Sequence, residues 1–149
     1  MDVYAEDLVI DEPYPAGSAT LTSEEIVTFA TQWDPQRFHI DQEFAAAGHF
    51  GEVIASGIHS FAVFQRLAVL NVYSNWRIIA GRAVRELTFP KPVRGGATLS
   101  AAVRVTRVER RDDRRSLIHK SGTLIDQSGD LVFSLIAEAY IENRPPSQR

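Results

Sequence analysis

The architecture this sequence predicts is an α+β fold in which an antiparallel sheet wraps around one long apolar helix. Three observations carry that prediction. Helical patterns are confined to the first half of the chain. From Ile58 to about Ser74 apolar residues cover most sides of a helix, and such a helix needs burial. From residue 77 onward the chain alternates in strands separated by short turns. A sheet curled over the helix is the economical way to bury it. At 149 residues the chain suits one domain, 1–149, with 1–16 as an extended lead-in and 143–149 as a flexible tail.

Each element follows from its local pattern. Pro13, Pro15 and Gly17 keep the start extended. Thr22-Ser23-Glu24-Glu25 has capping-box spacing, and Ile26, Phe29, Ala30 and Trp33 then form an apolar helical stripe. Pro35 keeps Asp34 out of the helical region, so the helix ends at about Trp33. Asp41 caps a short helical turn through Phe44–Ala47, stopped by Gly48. On the long helix Ile58, Phe61, Ala62, Val69 and Val72 mark one face, and Phe64, Leu67, Ala68 and Leu70 cover much of the other. Strands are expected over 77–89, 97–108, 116–126 and from Leu131 to Ile141. Arg110–Arg115 forms a charged hairpin tip, and Gln127–Asp130 the next turn.

Composition narrows the class. An apolar fraction of 44% with 23% charged residues argues against disorder. The absence of cysteine removes disulfides, thiolate nucleophiles and cysteine-bearing zinc sites. No apolar run reaches the ~18–20 residues of a membrane span, and the acidic start lacks a signal-peptide pattern. A cytoplasmic protein with no membrane association is the expectation. The net charge of −3 hides an asymmetry: residues 1–60 hold eleven carboxylates and one base, and the remainder fifteen bases and eight carboxylates. Nucleic-acid binding is not the reading adopted, because the Arg-rich 104–115 stretch includes Glu109, Asp112 and Asp113 and has no aromatic residue.

The chemistry-bearing stretch is 29–41. A proline-stopped helix is followed by a carboxylate, Asp34, and an imidazole, His39, on a non-helical turn; together they can polarise one water. The competing reading is that Asp34 caps local amides and His39 packs with Phe38. Ile54-Ala55-Ser56-Gly57 leads into the long helix, where free amides and the helix dipole suit a developing oxyanion. His39, His49 and His59 lack the i, i+4 spacing of a helical metal pair, so no metal site is expected.

Asp34, Pro35, Phe38-His39, Asp41, Phe44-Ala45, Phe50-Gly51 and Ile54-Ala55-Ser56-Gly57-Ile58-His59 together resemble the hydratase-2 motif of the MaoC-like dehydratases, a hotdog-fold family that includes (R)-specific enoyl-CoA hydratases. Phe89-Pro90-Lys91-Pro92-Val93 and Gly96–Leu99 extend the resemblance, which covers roughly residues 20–142. It implies that Asp34 and His39 are the catalytic acid/base pair and that the Gly57 N–H polarises a thioester carbonyl. The implied reaction is reversible hydration of trans-2-enoyl thioesters to (R)-3-hydroxyacyl thioesters. The implied substrate is a CoA or acyl-carrier-protein thioester, and no metal or redox cofactor is required.

Three departures stand out. Gln36-Arg37 occupy places that are often Asn-Pro, and Arg37 puts a cation where it can lower the Asp34 pKa. Ser56 replaces the usual imidazole of Ile-Ala-His-Gly and is expected at the substrate. Gly95-Gly96-Ala97 replaces a frequent Pro-Gly-Asp. His59 is a candidate for the acyl-pocket wall, with a core histidine as the competing reading. Gln65, Asn71 and Tyr73 are candidates for an acyl tunnel. Arg82, Arg85, Lys91 and Arg94 are candidates for CoA phosphates, since Arg matches phosphate geometry.

Two alternatives remain open. A hotdog thioesterase often carries a carboxylate on the central helix, but no Asp or Glu occurs between Val53 and Arg85. A non-catalytic acyl-CoA binding or sensing domain is the other, although a binder has no need of both Asp34 and His39. An open sheet edge implies a homodimer, with higher homo-oligomers or a heterodimer with a paralogous chain as variants.

Overall fold

Thr22 and Glu25 close the capping box that the sequence encodes. The Glu25 N–H donates to the Thr22 hydroxyl at 3.1 Å, and the Thr22 N–H donates back to the Glu25 carboxylate at 3.3 Å. They start α1 (Ser23–Trp33), which ends one residue before Asp34, whose φ of −154° leaves the helical region ahead of Pro35. In this computed structural model, which describes residues 1–148, a one-turn helix α2 (Arg37–Ile40) follows where the sequence suggested a non-helical turn. Asp41 then caps α3 (Gln42–Ala46) by accepting the Phe44 N–H at 3.0 Å. The long helix α4 spans Gly57–Asn71 and ends three residues before its apolar pattern suggested, because Tyr73–Asn75 turns as a 3₁₀ segment.

The sheet has five strands: β1 (Pro13–Leu21), β2 (Ile78–Thr88), β3 (Ala97–Arg110), β4 (Arg115–Ile125) and β5 (Leu131–Glu142). Their order is β1-β3-β4-β5-β2, antiparallel throughout, so β1 and β2 are the edges. The expected alternation holds: Leu99, Ala101, Val103 and Val105 on β3, and Phe133, Leu135, Ala137, Ala139 and Ile141 on β5, are buried on the face toward α4. Gly122 on β4 allows the close approach of the helix, since a Cβ there would lie 2.1 Å from the Phe64 ring. At the far end of α4 the Asn71 amide donates to the Ala16 carbonyl at 2.7 Å, at a bulge where Gly17 takes a φ of +79°.

Three expectations need correcting. The lead-in is not merely extended: Pro13–Leu21 is a full edge strand, Val3 and Ile10 form bridges to Trp76 and Val105, and Tyr4 and Ala5 are buried. The tail is held rather than loose over its described part. Asn143 is buried and bonds Ser116 at 2.6 Å and the Asp112 carbonyl at 2.8 Å, Arg144 pairs with Asp7, and 146–148 make a 3₁₀ turn. Its last residue, 149, lies outside the described residues. Finally, α4 is buried on one side only: Phe64, Leu67 and Ala68 face the core, while Ile58, Val69 and Leu70 stay exposed in the single chain.

The Gly122–Phe64 contact makes a direct prediction. Gly122→Ala forces the ring and helix outward and should cost about 1–3 kcal/mol, read as a lower midpoint in chemical denaturation. Gly81→Ala on β2, where a Cβ meets nothing within 4 Å, should be close to neutral. Equal midpoints for the two variants would refute this account of the helix seat.

Candidate active site

Asp34 sits at the C-terminal end of α1, because Pro35 ends the helix there, and His39 sits on α2. The turn between them brings His39 Nε2 within 3.5 Å of Asp34 Oδ2. That gap is long for a direct hydrogen bond and suits one water held against both groups. His39 is buried, and its Nδ1 lies 2.6 Å from the Ile54 carbonyl oxygen. A carbonyl has no proton to give, so Nδ1 carries the hydrogen. In the neutral ring Nε2, facing Asp34, is then the basic nitrogen.

Asp34 is held from two sides. The Ser56 hydroxyl donates to Oδ2 at 2.7 Å and the Gln36 amide donates to Oδ1 at 2.9 Å. The Ser56 bond first, then Gln36 and His39, hold the carboxyl below the usual carboxylate range, against burial, which works the other way. Arg37 has no part in this. It pairs with Asp41 at 3.3 Å and lies over the Phe44 ring at 4.1 Å, which corrects the expectation that it acts on Asp34.

Gly57 is the first residue of α4. The Ile58 N–H is taken by the Ser56 hydroxyl, and the His59 and Ser60 N–H groups by the Ser56 carbonyl. The Gly57 N–H is therefore the helix-start amide with no partner among the described residues. Gly57 lines a cavity of ≈ 330 Å³ whose walls also include His39, Ala55, Ser60, Phe89, Lys91 and Val132. The Phe89 ring lies so close that a Cβ on Gly57 would come within 2.4 Å of it. The approach to α4 is pinned by the Ala55 N–H donating to the Val93 carbonyl at 2.8 Å. His39 and Gly57 thus border one apolar-walled space, with the Asp34 carboxylate 3.5 Å behind the imidazole nitrogen, an arrangement able to move a proton beside a polarised carbonyl.

The remaining candidates divide. Lys91 reaches the cavity wall, where Asp130 pairs with it at 2.5 Å. Arg94 flanks the same loop and donates to the Phe50 carbonyl at 2.6 Å. Ser56 is fully buried and absent from the wall, so it positions Asp34 and α4 instead of meeting substrate. His59 lies on another side of α4, stacked on Phe29 at 4.3 Å with Nδ1 unpartnered among the described residues; burial pushes its pKa down. It is a core histidine. Arg82 and Arg85 both pair with Glu138, at 2.5 and 3.2 Å. By alternation Glu138 points away from the face of β5 that carries Ala137 and Ala139, and neither it nor the two arginines lines the cavity at Gly57; Arg82 and Glu138 border a separate cavity further along α4. Sequence reading missed Gln36 as a partner of Asp34 and Phe89 as the cover over Gly57; the Phe-Pro-Lys-Pro run was the available signal for the second.

Because Ser56 supplies the largest effect on Asp34, Ser56→Ala should raise the Asp34 carboxyl pKa, measurable by carboxyl NMR titration. A lowered folded-state pKa stabilises the fold above the unfolded value, and that stabilisation is lost as pH falls through the folded one. The variant should therefore lose part of its neutral-pH stability, and cap loss adds about 0.5–2 kcal/mol. An unchanged Asp34 titration would remove Ser56 from this role.

The profile of the family described as MaoC like domain matches residues 7–125. A 3-hydroxyacyl-thioester dehydratase Z of Mycobacterium tuberculosis is 34% identical over 92 residues, 60% of this chain and 61% of that one. The chain thus matches about three fifths of that relative's length. Among solved structures, a MaoC-like dehydratase from Rhodospirillum rubrum is 30% identical with a TM-score of 0.85, covering 96% of this chain and 99% of that one. A protein from Archaeoglobus called a monoamine oxidase regulatory protein is 27% identical with a TM-score of 0.89, covering 97% of each. A double-hotdog protein of M. tuberculosis, 22% identical with a TM-score of 0.77 over 97% of this chain and 46% of its own, shares the fold. With its five-stranded antiparallel sheet around α4, the chain is a hotdog-fold member of the MaoC-like family.

Proposed function

We propose that this protein catalyses the reversible addition of water to trans-2-enoyl thioesters, and in reverse the dehydration of (R)-3-hydroxyacyl thioesters. The observation that carries the reading is that His39 and Gly57 border one cavity while the Asp34 carboxylate lies 3.5 Å from His39 Nε2. Asp34 stays ionised because Ser56 and Gln36 hold it so, and His39 presents a free nitrogen because Ile54 fixes its other one.

A water placed between Asp34 and Nε2 can donate to both, leaving an oxygen lone pair for C3 of the enoyl group. As the C3–O bond forms, the pair accepts a water proton and the C2–C3 π electrons move to the thioester oxygen. The Gly57 N–H meets that oxyanion, where one such donor contributes about 2.7–4 kcal/mol. The enolate collapses, C2 takes the proton back from the pair, and no net proton or electron is consumed. Addition of water is redox-neutral, so the scheme calls for no redox cofactor. Phe89 and Val132 supply apolar walls that limit competing bulk water.

The direct test follows loss of enoyl absorbance with crotonyl-CoA and with longer, branched and aromatic enoyl-CoAs. Asp34→Asn and His39→Ala should each lower kcat by about 10²–10⁴-fold, with the fold retained by circular dichroism. Wild-type turnover indifferent to both substitutions would sink the mechanism. Release of free CoA from saturated acyl-CoA would favour thioester hydrolysis, and binding without turnover a sensing role.

The same reading includes a homodimer. The β2 edge is uncovered, and Ile79 and Val84 on it, with Ile58 and Leu70 on α4, stay exposed in one chain. Sedimentation should give a dimer that Val84→Arg weakens. A monomer at assay concentration would dismiss it.

A further inference from the structure

A second cavity, of ≈ 430 Å³, follows the first along α4, one to two turns further from Gly57. Phe61 and Phe64 of the helix and Leu135 and Ala137 of β5 give it an apolar wall. The ring of Phe133 packs with Phe61 and Phe64 of the second cavity's wall and with Phe89 of the first's, at centroid distances of 5.9, 5.4 and 6.1 Å, and so stands between the two spaces. From Gly57 to Gln65, which also lines the second space, the helix advances about 12 Å at 1.5 Å per residue. That is the reach of an acyl chain, with the thioester carbonyl at the Gly57 N–H and the chain running down α4.

Lys120 is out of place in such surroundings. It comes from the core-facing side of β4, between Ile118 and Gly122, and is 8% exposed. Sixteen of the chain's residues are Lys or Arg, and most of those described meet a carboxylate or a carbonyl; Lys120 meets the face of Tyr73, with Nζ 3.8 Å from the ring centroid. Neither Nζ nor the Tyr73 hydroxyl has a hydrogen-bond partner among the described residues, and both residues line the second cavity. Arg82 and Glu138 also line this cavity, and Glu138 is taken by Arg82 at 2.5 Å and by Arg85 at 3.2 Å. Burial pushes the lysine down to about 8, so near neutral pH it still carries its charge for the most part. A buried cation without a counter-charge is costly, and a methionine of similar length would fill the space without that cost. The cavity therefore holds an unanswered positive charge and a phenol at the end of an apolar passage, the pattern of a site built for one anionic group.

We infer that Lys120, with Tyr73, binds a carboxylate at the far end of the acyl group, so that the thioester substrate is ω-carboxylated. This rests on the proposed hydratase reading for the position of the thioester. The other anionic part of a CoA substrate, its phosphates, leaves the site on the thioester side, where Lys91 lies, and so does not compete for Lys120.

The experiment is calorimetric titration of the full chain with pairs of saturated CoA thioesters of equal chain length, one ω-carboxylated and one methyl-terminated. Saturated chains are not hydrated, so binding is read apart from turnover. At the chain length that spans the two cavities the wild type should bind the ω-carboxylated member about tenfold or more tightly. Lys120→Met should abolish or reverse that preference with a melting temperature no lower than wild type, and Lys120→Gln should abolish it as well. No preference in the wild type at any chain length overturns the proposal, even if both variants fail to fold. A preference that survives both substitutions overturns it too. Dissociation of an oligomer by Lys120→Met, with no ω-carboxyl preference in the wild type, assigns the lysine to a second copy of the chain and also overturns it. The reading of the reaction fails separately: tight ω-carboxyacyl binding without hydration of any enoyl thioester would retain the subsite and remove the hydratase.

Discussion

One buried hydroxyl ties the site together. Ser56 Oγ accepts the Ile58 N–H at 3.2 Å and donates to Asp34 at 2.7 Å. The first contact begins α4 and the second fixes the carboxylate at the end of α1. Two helices that are far apart in sequence therefore meet through a single side chain that has no exposure to solvent. Its carbonyl adds to the effect by taking the next two amides of α4, His59 and Ser60. What this leaves is one helix-start N–H without a partner among the described residues, on Gly57, which lines the cavity that His39 also borders. The spacing between the Gly57 amide and the Asp34 carboxylate thus follows from how one helix is capped.

The other half of the pair is fixed by backbone. His39 Nδ1 answers to the Ile54 carbonyl, three residues before Gly57, and the neighbouring Ala55 N–H answers to Val93. The segment 54–57 thereby holds the imidazole, the cap and the amide donor at once, and is itself laced to the residues that precede β3. No regular element is needed to organise it. Backbone bonds that a loop must make in any case double as the positioning of the chemistry.

Legibility in the sequence follows sequence separation. The capping box at Thr22 and Glu25, the stop at Pro35 and the alternation along β3 and β5 are local patterns, and each was readable. Asp34 and His39 were readable as a pair because only five positions separate them. The first strand was not, because Pro13, Pro15 and Gly17 obscure a pattern that an edge strand with a bulge tolerates. Ser56 was misread as a substrate contact because its partner, Asp34, lies 22 residues away. The partner of Arg82 was hidden for the same reason, since the carboxylate it pairs with is 56 residues distant. The apolar face of α4 overstated burial because a single chain leaves part of it uncovered.

The charge asymmetry between the halves of the chain takes on a structural meaning. Asp2 reaches Arg77, Glu6 reaches Arg110, Asp7 pairs with Arg144 and Glu52 with Arg94. The acidic first segment is thus laid against the arginine-rich sheet and held there by partners from the other half. Exposed pairs of this kind contribute about 0–1 kcal/mol each, so their effect is to choose where the lead-in and the tail rest more than to stabilise the core. Against that background Lys120 differs in kind. Most surface arginines find a counter-charge within the chain, whereas this lysine is buried against an aromatic ring and lines the second cavity. An exposed arginine without a partner keeps its hydration, but a buried lysine without one does not, so the position of Lys120 suits a group the chain does not itself supply.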